Sequence, residues 1–487
     1  MYRFCLFLFV LLIIGVLIVY PSSVGSHFSE PLLFYTIVIG GCALAVFVFS
    51  TITDPVVELR GQYIRPIFMF LIGYLIVFFQ AYVDLMLGNL DPRSFFFFVK
   101  PSLINQGALI SVGGLIMVFL GYLTGRTSIH KKRRSNLVEN AMPLRQLLYF
   151  LTIFNLLNVA FNARQMLSGE YSQEAIENSA GTIGSYIQLL FYVTYLSVIV
   201  IHSINSRVNA NRNVFVFLKK LGGLFYVNLL VYLILVMLSG DRGPILTMSL
   251  TLLAAVTIGT QSKIRLGIIF LLILLGATFI SILGVVRKMD GNLTFQERFS
   301  RAWADDSVNE RYQSFLPATA ELSTSVRTLH IALDYVPERH EYLLGLFQLR
   351  ETLKIIPFAA GIFDPLFPNH FRYRNSAFFI TWVDKGDNYT VGTGSSINAD
   401  LYLSFGEIGV VVFLFLLGRL FRRVDLVVFG QGGINIDIFS VVLMITIIGS
   451  SIYWSRASML TPIQSIALTY IFVIVYRKIT LKTNSAR

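Results

Sequence analysis

Charge is scarce in this chain. Only 14% of its residues are Asp, Glu, Lys or Arg, while 55% are hydrophobic. A soluble globule carries nearer a quarter charged residues, so that class is excluded. The mean hydropathy of +0.69 agrees. Cysteine is almost absent: Cys5 and Cys42 both fall inside apolar runs. That excludes a disulfide framework and a thiolate metal site, and leaves both as small apolar fillers. His330 and His340 have no clustered acids around them, so no metal is expected. The chain has no G-x-S-x-G elbow, Walker loop or dinucleotide fingerprint, so a serine hydrolase, an ATPase and a dehydrogenase are not signalled. No cofactor is expected. Alternation of strand length is missing too, which argues against a β-barrel.

What the chain does have is long apolar runs. About twelve are each near the roughly 20 residues that cross hydrocarbon as a helix. They begin at Phe4–Tyr20, read as an uncleaved first helix, and end at Met459–Tyr476. Helices satisfy their own backbone groups, which lipid cannot do. One long break interrupts the series, between the ninth run, Leu266–Val286, and the tenth, Leu401–Phe421. The expected organisation is therefore helices 1–9 over residues 1–286, a large loop with short amphipathic helices over 287–400, and helices 10–12 with a tail over 401–487.

Charge sets the orientation. With the N-terminus in the cytoplasm, 22 Lys and Arg fall on cytoplasmic segments and only 5 on the short external ones. Such a bias arises only if the number of spans has the right parity. Both termini are then cytoplasmic and the long loop is external. The run His130-Lys131-Lys132-Arg133-Arg134 reads as a topological anchor rather than a nucleic-acid patch, so no nucleic-acid partner is expected.

The external face offers three features. The first is the tight hairpin Ser239-Gly240-Asp241-Arg242-Gly243-Pro244. Arg242 beside a helix N-terminus is a natural anion site, although Arg242 could equally pair with Asp241. The second is the long loop, with 12 basic and 14 acidic residues and Arg outnumbering Lys 9 to 3. Guanidinium suits diphosphate better than ammonium does, yet most of these arginines should be salt-bridged. Arg287 closes the ninth run at membrane level, and Arg350 and Arg372 join it as candidate diphosphate or sugar ligands. The third is aromatic density, including Trp303, Tyr312, Phe371, Tyr373, Trp382 and Tyr389. These could stack on sugars, although most aromatics line cores and interfaces. Residues 342–362 read as an amphipathic helix on the membrane face, ended by Pro357.

Several stretches resemble one known family. They are Tyr342-Leu-Leu-Gly345, Ile355-Ile-Pro357, Gly392-Thr-Gly394-Ser-Ser, Ala399-Asp400-Leu-Tyr402 and Phe405-Gly406-Glu-Ile-Gly409. In that order they resemble the Wzy-type oligosaccharide repeat-unit polymerases of O-antigen and capsule synthesis. The Gly240–Gly243 hairpin is similar to theirs as well. The position matched to Asp400 is often Glu in the family, and an Arg-to-Gly spacing found in some members fits Arg350 and Gly361. The resemblance implies an all-α, GT-C-like glycosyltransferase in the bacterial cytoplasmic membrane. Its donor would be a glycan on undecaprenyl diphosphate and its acceptor a lipid-linked repeat unit, with a chain-length regulator protein as partner. Fixed arginines would stabilise the leaving diphosphate, and His370 or Asp400 would take the acceptor proton. Asp400 also reads as a helix cap. An O-antigen ligase-like transferase and a lipid-linked oligosaccharide flippase stay open as alternatives.

Overall fold

The computed structural model describes residues 2–24, 27–54, 56–125, 142–168, 183–210, 212–239, 243–264, 314–356, 372–387, 392–429 and 437–485, with isolated positions 267, 276, 297, 300 and 359. All regular structure among them is helical. Eight helices are long and apolar enough to cross a membrane, or ten if each of two bent pairs is one span. A further apolar helix, Ile438–Trp454, has 17 residues. The expected run Leu266–Val286 lies almost wholly outside the described residues, and the eight to ten spans counted among those described stand beside the expected figure of about twelve.

In chain order the first helices are α1 (Tyr2–Ser23), α2 (Glu30–Ile52), α3 (Pro66–Phe78), α4 (Gln80–Met86) and α5 (Ile104–Thr124). Next come α6 (Arg145–Ser168), α7 (Ile183–Val208), α8 (Val214–Leu221), α9 (Gly223–Ser239) and α10 (Gly243–Thr260). Four short helices follow: α11 (Pro317–Ser323), α12 (Val326–Tyr335), α13 (Leu346–Leu353) and α14 (Ser376–Lys385). The chain closes with α15 (Ile397–Phe429), α16 (Ile438–Trp454) and α17 (Ile463–Ser485).

Local chemistry sets the ends. Pro66 stands in the first turn of α3, where its missing N–H costs nothing. The Asn213 side chain accepts from Phe215 N and Val216 N to start α8, and Gly222, with φ 84°, stops it. The chain then turns by 79° into α9. Likewise Asn375 caps α14 and Asp437 caps α16.

The centre is the α5–α15 pair. A Cβ on Gly121 would lie 2.0 Å from the Phe415 carbonyl, and one on Gly418 would lie 2.0 Å from that of Val118. Without burial from water to drive association, small residues that allow backbone contact hold such helices together. Polar side chains add interhelical bonds. Asn155 on α6 donates to Asn228 Oδ1 on α9 at 3.1 Å, and Asn228 donates to Thr152 Oγ1 at 2.9 Å. Apolar residues point outward instead, as with Leu17 and Ile18 on α1 and Val227 and Leu230 on α9.

The ends of the bundle differ. At one, Arg422 donates to both oxygens of Asp54, at 2.5 and 3.1 Å. Beside them Tyr122 donates to Asp425 at 2.7 Å, and Arg65 reaches the Tyr122 hydroxyl at 3.0 Å. All five residues are buried. The other end carries the cap, α11 to α14. Asp84 and Gln80 of α4 clamp its start: Asp84 accepts from Phe315 N at 2.8 Å, and Gln80 exchanges bonds with Leu316 O and Thr319 Oγ1.

Candidate functional site

The cap is stitched to the start of α15. Gly394, with φ 82°, turns the chain into the Ser395-Ser396 step. Thr393 Oγ1 donates to Asp384 at 2.7 Å, and Arg327 donates to the other oxygen of Asp384 at 2.7 Å. The Ser376 hydroxyl lies 2.8 Å from both the Ser395 and the Ser458 hydroxyl, and Thr328 donates to Ser396 Oγ at 2.7 Å. These short side chains saturate one another, so a polar turn can lie buried without loss.

Asp400 stands at the centre of this junction and is 0% exposed. Its Oδ2 accepts from Gln348 Nε2 on α13 and from Met459 N, both at 2.9 Å. The Asp400 N–H already bonds to Ser396 O within the helix, so the carboxylate does not cap α15 but binds two other segments to it. Gln348 turns its oxygen to Ser404 Oγ, at 3.0 Å.

A few residues on, α15 breaks. Gly406 has φ 65° and ψ −157°, outside helical space. That backbone suits glycine alone, and a Cβ there would come within 3.1 Å of the Tyr342 hydroxyl. The break leaves carbonyls without their helical partners, and the cap supplies new ones. Leu343 N donates to Leu403 O at 2.9 Å, and Leu344 N to Ser404 O at 3.0 Å. Leu344 and Gly345 then take positive φ, 45° and 87°, and α13 begins. The two motifs Tyr342–Gly345 and Phe405–Gly409 are thus halves of one joint.

Of the stretch 342–362, expected as one amphipathic helix, residues 342–356 and 359 are described, and among them Leu346–Leu353 is helical. It has two unlike sides: Phe347, Arg350 and Glu351 are buried, while Leu349, and Ile356 just beyond the helix, are exposed. The helix turns its polar side to the junction because Asp400 and Ser404 need Gln348.

The expected site residues separate. His370, Arg242 and Arg287 lie outside the described residues. Arg350 is buried in α13. Arg372 lies over the Trp382 ring at 4.6 Å and grips both oxygens of Asp387, at 2.9 and 2.6 Å. Its charge is matched, yet its side chain stays about a third exposed. Beside it His340 bonds to the Tyr373 hydroxyl at 3.0 Å. His330, by contrast, is wholly buried against the Tyr82 hydroxyl at 2.9 Å, and burial pushes its imidazole down to about 3.

Two further groups meet at the joint. The Tyr20 hydroxyl, near the end of α1, donates to Glu407 Oε1 at 2.6 Å. Glu407 directly follows the Gly406 break. The Phe-Gly-x-x-Gly motif contained Glu407, but nothing in the sequence linked it to Tyr20.

A bundle of helices long and apolar enough to span a membrane, with a polar cap knotted into a broken span at one end, defines a polytopic membrane protein. The chain matches the family model for O-antigen polysaccharide polymerase Wzy over residues 1–484, and it belongs to that family. Neither a curated protein nor a solved structure shows a match to it. Membership implies a multi-pass protein of the bacterial inner membrane that polymerises O-antigen repeat units carried on lipid.

Proposed function

We propose that the protein is a glycosyltransferase acting on the outer face of the cytoplasmic membrane, with both termini inside and the cap outside. Its donor is the growing glycan on undecaprenyl diphosphate, and its acceptor is the next lipid-linked repeat unit. The observation that carries this reading is the family match across residues 1–484. The distribution of Lys and Arg along the sequence supports the orientation, with 22 on the segments read as cytoplasmic and 5 on the short external ones. The acceptor hydroxyl attacks the anomeric carbon, and the lipid diphosphate leaves. Arginines, with Arg242, Arg287, Arg350 and Arg372 as the candidates, stabilise the charge that develops on that leaving group. His370 and Asp400 are the sequence-level candidates for the proton acceptor. A chain-length regulator is the protein partner of this scheme, and the fold is GT-C-like, as the family resemblance implies.

The buried amides of the spans support a polymerase over a transporter. Asn155 and Asn228 bond to each other, which leaves them to glue helices rather than to bind a solute at the bilayer midplane.

Deleting the gene and running a lipopolysaccharide gel tests the proposal. A polymerase deletion leaves single capped repeat units. A ligase deletion leaves long chains that are not attached to lipid A core, and that result would replace this reading. Arg242→Ala and Arg287→Ala should each abolish long chains while the protein still inserts.

A further inference from the structure

We propose that Glu407 is the carboxylate that takes the proton of the acceptor hydroxyl, an assignment that rests on the polymerase reading above. Three observations converge on it.

The first is placement. Glu407 follows the one residue of α15 with non-helical backbone, Gly406, at the point where the cap segment Leu343–Leu344 pairs with the helix. It therefore lies where three parts meet: the cap, the end of α1 and the broken span.

The second is its state of pairing. Among the described residues, Tyr20 is the single hydrogen-bond donor to its side chain, at Oε1, and no Lys, Arg or His forms an ion pair with it. The phenol fixes the orientation of the carboxylate and leaves Oε2 free to accept. Several other acids are committed, Asp54 to Arg422 and Asp384 to Arg327 and Thr393, while Asp400 is held through Oδ2 by Gln348 and Met459 and its Oδ1 is buried without a partner. Asp400 is also sealed, with no exposed surface, whereas Glu407 is half-buried. A sugar hydroxyl can reach Glu407 in this arrangement and cannot reach Asp400.

The third is the neighbourhood. Ile408 is 75% exposed and Leu344 79% exposed, so large apolar side chains stand open beside Glu407. A carboxylate without a cation at such a boundary is costly, and where one persists it marks function rather than packing. A lipid-linked substrate arriving sideways from the bilayer meets this surface first.

The step balances. The acceptor oxygen forms a bond to the anomeric carbon as its proton passes to Glu407 Oε2. The bond from the anomeric carbon to the phosphate oxygen breaks, and undecaprenyl diphosphate leaves with the electron pair. Glu407 later releases the proton to water.

The test uses the purified full-length protein in lipid nanodiscs, supplied with lipid-linked repeat units. Glu407→Gln keeps an oxygen for Tyr20 and removes the base. It should slow polymerisation by about 100-fold or more, the usual worth of a general base, with an unchanged thermal midpoint. Glu407→Ala should be equally slow and should recover part of its rate in added formate, which a purely structural tie to Tyr20 would not allow. Tyr20→Phe should cost less, since the carboxylate remains. A Glu407→Gln protein within about threefold of the parent overturns the assignment, as does an Ala variant that formate leaves unchanged. If His370→Ala is inactive while Glu407→Gln polymerises, the base is His370. If the parent itself makes no polymer, the polymerase reading falls and this assignment with it.

Discussion

The backbone N–H of Leu344 donates to the carbonyl of Ser404 at 3.0 Å, joining the cap to the broken span. In an unbroken helix that carbonyl would meet the N–H four residues further along. Gly406 prevents this, and the cap backbone takes its place, so the joint depends on one glycine.

Gly406→Ala should therefore loosen the joint. Its φ of 65° and ψ of −157° strain any L-residue, and Tyr342 stands in the way of a methyl group. The expected loss is roughly 1–3 kcal/mol, read as a lower thermal midpoint of the detergent-solubilised protein. Gly223→Ala is the control: a Cβ there meets nothing within 4 Å, and it should leave the midpoint in place.

At the opposite end, Asp54→Ala should be severe. It strands the buried Arg422 guanidinium, at a cost of about 3–5 kcal/mol. Asp54→Ala with Arg422→Ala should lose less than the two single variants together, because the second change removes the stranded charge. Thermal midpoints of the three variants give the coupling directly, and simple additivity would refute it.

Asp400 separates the two kinds of substitution. Asp400→Ala leaves the buried Met459 N–H and the Gln348 amide without their acceptor, costing about 1–3 kcal/mol for each group left unpaired. Asp400→Asn keeps one acceptor oxygen and should fold with a midpoint close to that of the parent. Equal losses in the two variants would mean that the carboxylate charge, not the bond pattern, holds the junction.

His330 makes the cap sensitive to acid. Burial holds its folded-state pKa down at about 3, while an unfolded histidine titrates near roughly 6.5. The stability it confers is complete above that upper value. Below it the unfolded chain binds a proton that the folded chain refuses, so stability falls by about 1.4 kcal/mol per pH unit towards the lower value. His330→Gln can still bond to the Tyr82 hydroxyl and removes the titration. Its midpoints measured between pH 7.5 and 4.5 should fall less steeply than those of the parent.

The legible parts of this protein were those that repeat along the chain. Apolar runs announced helices such as α5 and α7, because a span must hide its own backbone wherever it lies. Gly345, Gly394 and Gly406 were visible within motifs, and each takes positive φ. Their shared purpose was not visible, since Gly345 and Gly406 stand far apart in sequence and meet only across the joint. The amphipathic stretch after Tyr342 shows the same limit. Its alternating Leu, Arg and Glu announced a helix, but not that Gln348 within it would join Asp400 to Ser404.

The sequence alone determined the class of this protein: scarce charge and long apolar runs leave the chain no stable fold outside a bilayer, and its ordered motifs matched one polymerase family. Which carboxylates are sealed and which remain open was decided only by tertiary structure. Asp400 and Glu407 share one helix and similar chemistry. One is enclosed by Gln348 and Met459, while the other meets a single phenol from a helix almost four hundred residues away. Local sequence fixes the type of an ionisable group, but the partners that hold or free it come from segments remote along the chain.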